Sequence, residues 1–170
     1  MSAAKRIALC AVLAALGVGI QLLATLEPSV SPAIAALAGM VCAVALIHCG
    51  IGWSLGVFAV CGLLGLLLCP TKSVCLFYLA FYGWYPAVKS LLERIERPAL
   101  CWAAKLGVAA VGLGAAYLLY YLLFANTAVL SWYVYAGIYA LSLGAFVAYD
   151  IAFSLLISFY NRRIAPHIKL

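Results

Sequence analysis

No formal charge occurs between Glu27 and Lys72. A bilayer core about 30 Å thick takes about 20 apolar residues per helix, so this stretch is too long for one crossing and right for two. The one break inside it is Cys49-Gly50-Ile51-Gly52, beside His48, and glycines so placed punctuate helices. Helices over 33–48 and 53–69 are therefore expected as a tight hairpin. The rest of the chain has the same character. Apolar residues make up 69% of it and charged residues 8%, against roughly 25% charged in soluble domains. Fourteen formal charges cannot cover the outside of a soluble protein of this size. A soluble globular domain and a disordered chain are both excluded. The net charge is +6, but ten scattered basic residues do not make a surface that tracks phosphates, so nucleic acid is excluded as a partner.

Four more apolar runs complete the count. The first, 7–26, follows Lys5-Arg6. It is longer than the apolar core of a secretory signal, and no clean cleavage site follows it. The others are 74–92, 100–124 and 131–160. Gly83 and Pro86 lie inside 74–92 and predict a kink there. The expectation is an all-α, polytopic membrane protein: one transmembrane domain of six transmembrane helices, multi-pass in the cell membrane. Basic residues favour the cytoplasmic side. With both the N and C termini cytoplasmic, Lys5, Arg6, Lys89, Arg94, Arg97, Lys105, Arg162, Arg163 and Lys169 fall inside and only Lys72 outside. Trp102 and Tyr160 then mark the inner interface; Tyr120, Tyr121, Trp132 and Tyr133 mark the outer one.

The raw material for catalysis is thin. The seven cysteines form no Cys-x-x-Cys pair, and no phosphate loop, His-Glu-x-x-His or Gly-x-Ser-x-Gly motif occurs. No enzyme, metal site or cofactor is expected. The cysteines read as small packing residues in membrane helices.

Three patterns remain as candidates. The first is Asp150, the one acid deep in an apolar run. A carboxylate at that depth must be paired, hydrated or protonated. Lys89 is the favoured partner over Lys105, giving a structural ion pair that sets helix register; a proton or cation site, and capping of backbone freed by a kink, are the competing readings. The second is the run Tyr78, Tyr82, Trp84 and Tyr85, with its phenol hydroxyls and the backbone carbonyls that Gly83 and Pro86 free. It suits either a pocket for a flat organic ligand or a well-satisfied core. The third is small residues at helical spacing. Helix six carries Ala136, Ala140, Gly144, Ala148 and Ala152, expected as an intramolecular seam, with a docking face for another subunit as the alternative. Helix one carries Ala4, Ala8, Ala11, Ala15 and Gly19, the better candidate for contact with another subunit.

The opening Lys5-Arg6-Ile7-Ala8-Leu9-Cys10-Ala11-Val12-Leu13-Ala14-Ala15-Leu16-Gly17 resembles the first helix of the substrate-binding S components of energy-coupling factor (ECF) transporters. The length and six-helix layout resemble them too, as does Pro32-Ala33-Ile34-Ala35-Ala36-Leu37-Ala38-Gly39. The segment Tyr82-Gly83-Trp84-Tyr85-Pro86-Ala87-Val88-Lys89-Ser90-Leu91-Leu92-Glu93 is similar to a small bacterial membrane family of S-component-like layout. The resemblance implies a membrane subunit that binds a vitamin-like micronutrient for uptake. Its partners would be a transmembrane coupling subunit, docked on Ala4, Ala8, Ala11 and Ala15, and ATPase subunits. Its small organic ligand would meet Tyr78, Tyr82, Trp84, Tyr85, Gln21 and Asn126. The competing class is a non-transporting membrane scaffold or accessory subunit with the same six helices, packed solid, with the helix-six stripe as an oligomer face.

Overall fold

The computed structural model describes residues 3–124 and 132–163. These are helical throughout apart from short turns, with no strand among the described residues. Five helices are long and apolar enough to cross a membrane, over Ala3–Thr25, Ser31–Cys49, Ile51–Leu68, Pro98–Leu123 and Ala136–Phe159. The chain is a multi-pass membrane protein.

The helices are α1 (Ala3–Leu22), α2 (Ser31–Cys49), α3 (Ile51–Leu68), α4 (Lys72–Phe77), α5 (Tyr85–Leu92), α6 (Pro98–Phe124) and α7 (Trp132–Arg163). Pro32 lies in the first turn of α2, where a missing N–H costs nothing. Gly50 ends it with φ 91°, a conformation that glycine adopts without a Cβ penalty. α3 then runs back antiparallel to α2.

The fourth apolar run, 74–92, is not a single helix. Between α4 and α5 the chain passes through a π turn, Tyr78–Tyr82, closed by Gly83 N–H donating to the Tyr78 carbonyl at 2.8 Å. The reason lies two residues further on. Pro86 has no N–H to give the Tyr82 carbonyl, and its ring would collide with that carbonyl in a regular helix. The freed Tyr82 oxygen turns towards α2, where Gly39 meets it. A Cβ on Gly39 would fall onto that oxygen. A glycine Cα–H instead faces the carbonyl, a weak hydrogen bond of the kind found where helices approach closely.

The broken helix is the shared wall of two cores. Its first half sends Phe77 and Tyr78 into a cluster with Leu13, Val41, Val57 and Cys61 from α1, α2 and α3. Its second half sends Phe81 and Tyr85 into a cluster with Ala109, Leu113 and Phe146 from α6 and α7. α7 is the least covered of the spans, with 17% of its most apolar stretch buried. Two hydroxyl links tie it to α6: Tyr117 Oη with Ser142 Oγ at 2.6 Å, and Tyr139 Oη donating to the Ala110 carbonyl at 2.7 Å.

Gly39→Ala is expected to lower the thermal midpoint of the detergent-solubilised protein, at a cost of about 1–3 kcal/mol from overpacking against backbone. Gly19→Ala, whose Cβ would meet nothing within 4 Å, should leave it unchanged or raise it. Equal midpoints for the two variants would show that α2 and the π turn are not in close contact.

Candidate functional site

Three separate elements bring charge to one buried point. Lys89 lies near the end of α5, Lys105 two turns into α6, and Asp150 in the second half of α7. All three are buried. The Asp150 carboxylate is met on both oxygens. Oδ1 accepts from Tyr85 Oη at 2.6 Å and from Lys89 Nζ; Oδ2 accepts from Lys105 Nζ at 3.0 Å. Lys89 also donates to the Asp150 carbonyl at 3.1 Å and to Ser154 Oγ at 2.7 Å. Glu93, at the end of α5, closes the cluster. Its Oε1 lies 2.9 Å from Lys105 Nζ and 3.3 Å from Lys89 Nζ. The Glu93 side chain is 44% exposed, so the cluster reaches the surface at one corner.

The arithmetic of charge explains why this is tolerable. Each isolated ion taken out of water costs several kcal/mol, recovered only with good geometry and filled hydrogen-bonding positions. Two lysines and two carboxylates sum to zero. Each lysine also lies over an aromatic face, Lys89 over Phe153 at 5.4 Å and Lys105 over Trp102 at 5.5 Å. The net gain over an apolar core is small. Such a cluster sets geometry, because a displaced α7 would strand two or three charges at once.

The sequence paired Asp150 with Lys89 and held Lys105 in reserve; both lysines reach the carboxylate. Three partners were not anticipated. Each had a simple signal, a polar residue four positions from a buried charge: Tyr85 and Glu93 flank Lys89 at that spacing, and Ser154 follows Asp150 at it.

The tyrosine run is placed differently along its length. Tyr78 and Tyr85 are buried. The Tyr78 hydroxyl contacts Cys42 Sγ at 3.2 Å, and that of Tyr85 serves Asp150. Tyr82 is half-buried, edge-on to Tyr149 at 5.4 Å. Trp84 is half-buried and donates Nε1–H to the Ala80 carbonyl at 3.0 Å. Gln21 is buried far from these, with Nε2 at 3.5 Å from the Cys61 carbonyl and Oε1 without a hydrogen-bond partner. Asn126 lies outside the described residues. None of the described side chains among them lines the small cavity of about 40 Å³ between α2 and α7 or the groove of about 320 Å³ between α1 and α3. Among the described residues, no three His, Cys, Asp or Glu side chains are grouped to hold a metal ion.

The small-residue stripes both face outward. Ala4, Ala8, Ala11 and Ala15 are exposed on α1. Ala136, Ala140, Gly144, Ala148 and Ala152 are exposed on α7, which corrects the expectation of an internal seam. The helix turns 100° per residue, which puts Gly144 about 160° from Phe146. Among the described side chains of α7, the buried ones are Phe146, Asp150 and Phe153. The ion cluster thus selects the face of α7 that turns inward and leaves the stripe on the opposite side.

No protein family matches the chain, and no curated protein or solved structure matches it either.

Asp150→Ala is expected to cost about 3–5 kcal/mol, the penalty of stranding a buried partner charge. Adding Lys89→Met restores neutrality, with Lys105 still facing Glu93, and should recover much of the loss in thermal midpoint. A stable Asp150→Asn protein that has lost proton movement in vesicles would instead make the carboxylate a working site.

Proposed function

We propose that the protein is a non-transporting scaffold or accessory subunit of a larger complex in the cell membrane, with α7 as its docking face. The observation that carries this is the outward stripe. Five small residues at four-residue spacing stand on one side of a helix, and exposed Leu141, Ile151 and Leu155 flank them. Lipid tails are as apolar as leucine, so membrane helices associate through close backbone approach, which small residues permit. A lipid-facing helix gains nothing from such a stripe; a helix–helix contact does, with the flanking large side chains filling the partner's grooves.

The same reading takes six crossings with both ends cytoplasmic. The broken segment from Lys72 to Leu92 rises about 30 Å at 1.5 Å per residue, the thickness of a bilayer core. The distribution of basic residues supports that count. A second reading, an ECF-type substrate-binding subunit for a vitamin-like micronutrient, draws support from the exposed alanines of α1. The buried, engaged hydroxyls of Tyr78 and Tyr85 count against it, because a ligand would have to displace packed core.

Gly144→Leu and Ala148→Leu should each shift the protein from a larger assembly to the single chain on native gels, with the thermal midpoint of that chain preserved. Ala8→Leu and Ala15→Leu should leave the assembly intact. The reverse pattern, with ATPase subunits and a small molecule co-purifying, would favour the micronutrient-binding reading. For topology, a reporter fused after Leu170 should be active only inside, and a cysteine at Ser31 should label from outside; external labelling of the tail would refute the six-crossing map.

A further inference from the structure

The groove between α1 and α3 is independent of the α7 face. Its walls are Ile7, Cys10 and Ala11 on one side and Trp53, Gly56 and Val60 on the other, with a volume of about 320 Å³. It runs about 10 Å along each helix, at 1.5 Å per residue. It is apolar along this length and charged at one end only. Arg6 precedes Cys10 by one turn of α1 and so stands on the same side of the helix. It is half-buried, and its Nε is buried without a hydrogen-bond partner. Among the described residues none of the four carboxylates, Glu27, Glu93, Glu96 and Asp150, forms an ion pair with it; Glu93 and Asp150 are held by Lys89 and Lys105. The start of α3 lies at the same end. It has no side-chain cap, and its first bonded amide is that of Ser54, to the Gly50 carbonyl. The amides before it add donors that favour an anion.

An elongated apolar slot with an uncompensated guanidinium at one end fits an amphiphile with one anionic head. A protein helix in the slot would cover Arg6 with carbon and leave its charge stranded. We propose that this groove binds an anionic phospholipid, with an acyl chain along α1 and α3 and the phosphate at Arg6. Lys5, next in the chain, adds a second positive charge. Together they favour a headgroup of net negative charge over a zwitterionic one, whose own cation competes for the phosphate.

Trp53 on the groove wall supplies the readout. Full-length protein is reconstituted in phosphatidylcholine vesicles, and phosphatidylglycerol or phosphatidylcholine with brominated chains is titrated in. Brominated phosphatidylglycerol should quench a saturable part of the tryptophan emission at several-fold lower mole fraction than brominated phosphatidylcholine. That part should vanish in Trp53→Phe. Arg6→Gln should weaken the phosphatidylglycerol response about fivefold, the value of one basic side chain at an anionic surface, while Arg6→Lys keeps most of it. Gly56→Leu fills the slot with the charge intact and should abolish the saturable quenching. Equal response to both lipids, no effect of Arg6→Gln or Gly56→Leu, or a protein cross-linked into the groove through a photoreactive group at Ala11 would each overturn the proposal. Loss of α7 docking with the lipid response retained would refute the scaffold reading alone.

Discussion

Four charges that sum to zero hold the second half of this protein together. Lys89, Lys105, Glu93 and Asp150 come from three helices, α5, α6 and α7. In an apolar medium their attraction is strong and the cost of separating them is high. The consequences run in two directions. α5, only eight residues long, is anchored at its end and not by its own length. α7 is rotated so that Asp150, Phe146 and Phe153 face the body. The π turn then becomes affordable. Its irregular backbone is enclosed by protein, with the Tyr82 carbonyl against Gly39, and so is not exposed to lipid.

Polar chemistry in this chain is therefore spent inward. The Tyr78 hydroxyl meets a thiol, that of Tyr85 a carboxylate, and the indole of Trp84 a carbonyl of its own segment. Tyr117 and Tyr139 link α6 to α7. What the described membrane-spanning helices offer outward is shape: alanine and glycine stripes on α1 and α7, and an apolar groove with Arg6 and Lys5 at its end. A body of that kind acts by what docks on it. The stripe on α7 and the groove on the α1–α3 side lie on different helices and differ in what they accept, since one suits a close-packed helix and the other an acyl chain with an anionic head.

The helices were legible because apolar run length and glycine or proline breaks have local causes. The hairpin of α2 and α3 follows from one uncharged stretch and one glycine turn. The break near Gly83 and Pro86 was legible as a kink. That it takes the form of a π turn was not, because it depends on the distant Gly39 making room for a freed carbonyl. The need to compensate Asp150 was legible from cost alone. The full partner set was not, since membership of Glu93 and Lys105 depends on how α5 and α6 cross. The α7 stripe was the clearest misreading. Small residues permit close packing without saying whether the neighbour lies in the same chain, and the rotation of α7 is decided six residues away, at Asp150.

The most direct test of the account asks what touches the outward face of α7 in a native membrane. A compact diazirine side chain at Leu141, which flanks the stripe and is exposed, can be photoactivated alongside a control at Val111, exposed on α6. If α7 is a docking face, Leu141 should yield a discrete protein adduct and Val111 lipid adducts alone. Lipid adducts alone at both positions would contradict it.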